Sequence, residues 1–384
     1  MIKDFIIKNK RSTTFRILLA IGLLILLLML EFGVFFASCT FFSESPELDS
    51  EIRSGIEQSS KIILLSGEEK YQRSEESTFL TLPEWFIVYS AREYADFVEQ
   101  KNSPSGFPYF RSITQYWENY CSVTALTHKE YGFNMGNHVM LFVIGNSFTA
   151  EYAMKGLYEN TFGRVTEWIS TSAFTEEDAY ASQVSREYAL FLDHTPFYSF
   201  PYAKKLQGLW TETSFFGDEF LRKWERRFSL TLEYGIKSLY SSFIRSATGA
   251  AYAPTDDEIL LITSPLLPAL QHSSDRIAVV NSYKEELQLV RIPRYQAFTD
   301  TILDLKDQDI VIYEIAGNDR IALTALAPFD WSQELEKGIV HYSLPVLTRP
   351  DVQRVFIEVS VTQLLFLLRE LHHQDIIIEH LYDY

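Results

Sequence analysis

Between Ile17 and Leu30 no side chain is polar, and after Glu31 the apolar character resumes from Phe32 to Ala37. Residues 17–38 are enough, at about 1.5 Å per residue, to cross a hydrocarbon core of roughly 30 Å. The run therefore predicts a single-pass transmembrane anchor, and the rest of the chain must fold while tethered to it. A carboxylate at mid-bilayer costs about 2.5–3.5 kcal/mol, but Glu31 lies towards one end of a Leu/Ile-rich segment that offsets it. Lys3, Lys8, Lys10, Arg11 and Arg16 precede the span, whereas Glu44, Glu47, Asp49 and Glu51 follow it against Arg53. The positive-inside rule then makes residues 1–16 a cytoplasmic tail and places the bulk of the chain on the periplasmic or extracellular side. Two alternatives share the residues: a cleaved signal peptide, and a lipoprotein signal at Phe36-Ala37-Ser38-Cys39 with lipid on Cys39.

The formal charge is -17, and the 39 residues up to Cys39 hold five of the 34 bases and two of the 51 acids, leaving 29 against 49 beyond them. Such an acidic body repels phosphate backbones and anionic headgroups, which argues against nucleic acid and against a peripheral membrane-binding face. With Cys39 in the leader and Cys121 the other cysteine, the folded part is expected to lack an internal disulfide. No Asn-x-Ser/Thr acceptor occurs, which leans towards a bacterial envelope protein.

Residues 39–77, Ser/Glu-rich, read as a spacer. Residues 78–255 read as an aromatic-rich, mainly helical domain, with Tyr89, Tyr94, Phe97 and Val98 at helical spacing, as are Leu232, Ile236, Leu239 and Phe243. The period changes in residues 256–384. Strand, helix and strand patterns over 287–293, 295–307 and 309–316 recur over 355–360, 361–373 and 376–382, and QDIVIYEI (308–315) overlies QDIIIEHL (374–381) 66 residues later. The repeat predicts an α+β domain, a ferredoxin-like split βαβ sandwich with an additional hairpin from residues 320 to 346.

The segment that most invites a chemical reading is HVMLFVIGNSFTAEYAMKGLYE (138–159). Ile144-Gly145-Asn146-Ser147-Phe148-Thr149-Ala150 resembles the first block of the GDSL or SGNH hydrolases, where a strand ends in Gly-Asp-Ser and enters a helix. Gly317-Asn318-Asp319 is faintly similar to that family's oxyanion block. The resemblance implies Ser147 as nucleophile. It covers a few residues: Asn146 replaces the Asp, and no Asp-x-x-His supplies the base that a serine needs. Without one, Ser147 is expected to cap the following helix.

Ser147, Glu151, Lys155 and Glu159 form an i, i+4 series, either a solvated face with helical ion pairs or, with His138, the lining of a ligand pocket. His372, His373, Asp375 and His380 suggest a metal, but adjacent helical residues point about 100° apart, so no metal site is expected. Neither is a cofactor, since no phosphate loop or haem motif occurs. The expectation is a membrane-anchored, non-catalytic binding or assembly protein of the cell envelope, whose partners are the membrane through residues 17–38 and an envelope protein. Its rivals are an anchored hydrolase using Ser147 and a small-ligand sensor using the C-terminal repeat.

Overall fold

The computed structural model describes residues 33–34, 36–39, 72–170, 174–251, 257–266, 276–283, 287–331 and 335–384. Most of the expected anchor (17–38) and spacer (39–77) lies outside them, as do residues 1–16. Among the described residues no helix is long and apolar enough to cross a membrane. The fold is α+β.

The first half comprises α1 (Ser77–Glu99), α2 (Tyr109–Tyr131), α3 (Met135–Tyr158), α4 (Arg164–Ile169), α5 (Glu176–Leu192), α6 (Tyr202–Glu212) and α7 (Phe220–Ala251). A π turn, Glu159–Gly163, joins α3 to α4. Helix starts follow local chemistry: Pro108 and Pro201 stand at the N-caps of α2 and α6. Thr175 and Asp178 cap α5 reciprocally, each side chain taking the other's backbone N–H.

Gly145, read in sequence as the end of a strand, lies inside α3. It is a notch: a Cβ there would stand 2.3 Å from Tyr116 Cε1 and 2.9 Å from Trp117 Cη2, both on α2. Phe86, Tyr116, Phe148 and Tyr152 fill the space around it, Phe86 edge-on to Tyr116 and Phe148, and Phe148 tilted against Tyr116 and Tyr152. Gly145→Ala should therefore destabilise the protein by about 1–3 kcal/mol through overpacking, despite Ala's better helix propensity. Equilibrium urea unfolding would read this, and an unchanged or raised midpoint would show that α2 can retreat.

The second half contains two four-stranded antiparallel sheets with the same internal order, β2-β3-β1-β4 and β6-β7-β5-β8. Strands β1 (Glu258–Thr263), β2 (Ala278–Tyr283), β3 (Leu287–Pro293) and β4 (Ile312–Ile315) accompany α8 (Gln296–Leu305). Strands β5 (Arg320–Pro328), β6 (Ile339–Pro345), β7 (Val352–Ser360) and β8 (Ile377–Leu381) accompany α9 (Leu364–His373). The two βαβ segments expected to share one sandwich thus stand in separate sheets. Nor do β5 and β6 pair as a hairpin: β7 lies between them, matching Arg320 to Ser360 and Ile339 to Glu358.

The sheets part at Ala316-Gly317, where φ is +51° and +74° and Ile315 and Asn318 exchange backbone hydrogen bonds of 3.0 and 2.9 Å. This tight reversal ends the first sheet and starts the second. Both close on one largely aliphatic core that includes Ile302 of α8 and Leu364, Leu368 and Leu371 of α9, with Phe298 of α8 among them.

The opposite face of the second sheet is covered by α1. Thr78 Oγ1 donates to the Tyr382 carbonyl (3.0 Å) and accepts from the Ala322 N–H (2.9 Å). Phe79, Leu82 and Tyr89 share a core cluster with Ala322, Phe356 and Tyr382. Further along α1, Arg354 reaches Glu93 at 3.0 Å and Glu379 Oε1 of β8 at 2.8 Å, with its guanidinium 4.3 Å from the Tyr89 ring centroid.

Cys39 forms a disulfide with Cys121 of α2, against the expectation that the folded part has none. Sequence placed Cys39 in a leader separate from the body; the fold buries it among Tyr120, Val123 and Leu126. Phe36, one turn earlier, packs on Phe133 (ring centroids 4.5 Å apart) and His138 (5.1 Å).

Candidate functional site

All five candidate residues lie on one helix and its π-turn extension, but they face different ways. Ser147 is neither at a strand end nor a cap. It sits within α3, and its Oγ meets the Tyr240 hydroxyl of α7 at 3.1 Å. His138, nine residues earlier and so roughly 13 Å along the axis, is buried towards α2, with Nδ1 3.2 Å from the Tyr120 hydroxyl. Ser147 thus meets a tyrosine hydroxyl rather than an imidazole or carboxylate.

Glu151 and Lys155 instead join Glu233 and Lys237 of α7. Lys155 lies 2.7 Å from Glu233 and 3.5 Å from Glu151; Lys237 lies 2.8 Å from Glu151 and 3.1 Å from Glu233. The two helices run antiparallel, so two Glu-x-x-x-Lys stretches lay each Glu against the other helix's Lys. Tyr94 stands beside Lys155, and Tyr188 and Tyr202 beside Lys237, at 5.2–5.6 Å from ammonium to ring centroid. Burial would raise the Glu233 carboxyl, but Lys155 and Lys237 outweigh it and hold it at about 2. Burial would lower the Lys237 ammonium, yet Glu151 and Glu233 push it well above the usual lysine range. The four side chains retain 16–37% exposure, so the quartet closes the rim of the seam rather than a sealed interior.

Glu159 occupies a drier part. The π turn aims its carboxylate at Arg226 (2.6 Å), which also faces Asp178 of α5 (2.7 Å). Gly163 leaves room for it, since a Cβ there would stand 2.5 Å from Glu159 Oε2. Nearby, Arg227 pairs with Glu177 (2.6 Å), and Arg222 Nη1 donates to the Gly163 carbonyl (2.9 Å) and pairs with Glu225 (2.8 Å). Phe215, Trp224 and Trp210 surround the Arg227 guanidinium at 4.7–5.5 Å. Arg222, Arg226 and Arg227 are all almost fully buried. The signal that could have found this seam was the pair of Glu-x-x-x-Lys spacings on two long helices, at Glu151/Lys155 and Glu233/Lys237.

The histidines do not assemble. His372 and His373 are exposed at the end of α9, Asp375 is exposed with φ +57°, and His380 is buried, stacked 3.4 Å from Trp85. Among the described residues no group of His, Cys, Asp and Glu is placed to hold a metal ion.

Two buried histidines give a testable pH dependence. Burial, with a smaller contribution from His128, lowers His138 from 6.5 to about 4; burial, then Arg92, drives His380 well below 6.5. The unfolded chain therefore binds more protons than the fold between about pH 6.5 and 4, so their stabilisation is complete above 6.5 and is lost as pH falls through that window. For His138 the loss approaches about 3 kcal/mol. His138→Phe should flatten the decline in unfolding free energy from pH 7 to 5, and an unchanged slope would show that His138 is hydrated.

The arrangement is thus a charged seam between two antiparallel helices, closed by ion pairs, rather than a cleft with a nucleophile and its base. No protein-family model, curated protein or solved structure matches this chain.

Proposed function

We propose that the protein is a membrane-anchored, exported protein of a bacterial cell envelope that acts without catalysis, by binding and assembly. The observation that carries this is the Cys39–Cys121 disulfide together with Phe36 against Phe133 and His138. They fasten the end of the apolar leader into the helical body, which favours a retained anchor over a cleaved signal peptide. A disulfide also favours an oxidising compartment. A lipidated Cys39 would need the sulfur that Cys121 already uses. The divergence of Ser147 and His138 favours binding over the hydrolase reading. The strand order of each sheet, with β1 between β3 and β4 and β5 between β7 and β8, supports reading each as a ferredoxin-like split βαβ unit. A fold of that kind suits assembly but does not by itself assign a role.

A periplasm-active reporter fused after Tyr384, combined with alkaline-carbonate extraction and non-reducing electrophoresis, tests the reading. The expected result is an active reporter, a carbonate-resistant chain retaining residues 1–38, and a mobility change on reduction. A cytosolic reporter, or a mature chain starting after residue 38, overturns it.

A further inference from the structure

The open side of the α3–α7 seam departs from an ordinary water-facing surface. From Met135 to Leu157 the most exposed side chains of α3, Val139, Val143 and Met154 among them, are apolar, while Glu151 at the rim is 37% exposed and paired with Lys155 and Lys237. From Phe220 to Phe243 those of α7, including Phe228, Leu232, Ile236 and Leu239, are apolar except Tyr240 and Ser242. The charged residues of this stretch, from Arg222 to Lys237, turn into the seam or towards α5. By contrast, α2 exposes Arg111 and Glu118, and α6 exposes Lys204 and Glu212.

The two stripes share one side. At about 100° per residue, the exposed positions of each helix lie roughly a quarter to a third of a turn from its seam positions, in the same rotational sense. Because the helices are antiparallel, equal senses aim both stripes the same way. Each stripe runs for about 34 Å, and two helices about 10 Å wide make a patch of roughly 700 Å². The largest apolar patch on a typical soluble monomer is roughly 300–600 Å².

We propose that this face is embedded in lipid: α3 and α7 lie in the plane of the outer leaflet of the bilayer that holds the anchor, in contact with acyl chains. The placement rests on the anchored reading above; the chemistry of the face does not. Phe36 docks at the start of α3, so the leader meets the body at one end of the face, which is thereby held close to the bilayer. Protein interfaces carry about one hydrogen bond per 100–200 Å², and a patch of this size whose polar groups are Ser242, the Ser147–Tyr240 hydroxyl pair and a Glu151 carboxylate already held by Lys155 and Lys237 is poor in groups a protein partner would engage. Acyl chains need none. In-plane amphipathic helices bury an apolar face by roughly 5–10 Å in this way. The acidity of the body does not oppose the contact, because the charges at the rim of the face, Glu151, Lys155, Glu233 and Lys237, are paired with one another.

The two cysteines are joined, so an introduced thiol can be labelled selectively in the full chain. Val143→Cys and Leu239→Cys, with Glu118→Cys on α2 as control, would carry an environment-sensitive fluorophore in phosphatidylcholine liposomes containing doxyl lipids. At 143 and 239 the expected result is blue-shifted emission quenched severalfold by the doxyl groups, unchanged between low and 1 M salt, with little quenching at 118. Carbonate-resistant flotation with water-like, unquenched emission at both sites overturns the lipid face while leaving the anchor standing. Failure to float overturns both. Unquenched label at 239 with cross-linking between two copies assigns the face to a second chain and also overturns the proposal.

Discussion

Arg226→Met is expected to destabilise the protein by about 3–5 kcal/mol, more than any surface substitution, because it strands two buried carboxylates. Arg226 is 1% exposed and lies 2.6 Å from Glu159 and 2.7 Å from Asp178. Removing it leaves both acids in a low-dielectric seam without a counter-charge, and ionised groups there cost several kcal/mol each. The cost belongs to the stranded charges rather than to the pair itself. Combining Arg226→Met with Glu159→Gln and Asp178→Asn should therefore recover part of the loss, since apolar or neutral replacement of a whole buried ionic group is often tolerated. Asp178 also caps α5, and Asn keeps that function. Chemical denaturation of the purified protein in detergent measures all three steps. A loss below about 1 kcal/mol for Arg226→Met would mean that water reaches the cluster, because hydrated pairs contribute that little.

The second large effect is expected from Cys39→Ser. The disulfide spans 82 residues of sequence, and chain-entropy arguments give about 4.5 kcal/mol for a loop of that size. Cys121→Ser should match it, and the double variant should add nothing further. Reductant should lower the wild-type midpoint to that of the variants while leaving theirs unchanged. Cys39→Ser should also loosen Phe36 from Phe133 and His138, since only the disulfide holds that segment covalently to α2. A wild-type midpoint indifferent to reductant would show that the aromatic contacts alone fix the leader's end.

Much of the α+β half was legible in the sequence. Leu287–Pro293 was read as a strand at its observed bounds, and Gln296–Leu305 and Leu364–His373 fell within the expected helices. Local period carries that information. Strand β1 was missed because it is a central strand buried on both faces, so Glu258–Thr263 shows an apolar run instead of alternation. Assigning both repeats to one sheet failed because period is blind to pairing. The two-residue turn at Ala316-Gly317, which separates the sheets, involves an alanine at positive φ that no propensity rule selects. At the seam, Glu151 and Lys155 were recognised as an ion pair, but their partners stand more than 70 residues away at Glu233 and Lys237. The spacing of the α3 charges contains nothing that names α7.

By itself the sequence determined the apolar leader, the helical then mixed character of the two halves, and the repeat that gives both sheets one plan, because each depends on residues close along the chain. Only the tertiary structure decided that Cys39 meets Cys121, that the repeats close on a common core from separate sheets, and that Arg222, Arg226 and Arg227 of α7 face inward while Phe228, Leu232, Leu239 and Phe243 face out. An amphipathic pattern defines two faces of a helix, but its period carries no sign. Which face becomes the interior is set by the neighbours, and here carboxylates on α3, α5 and the π turn draw the charged side in.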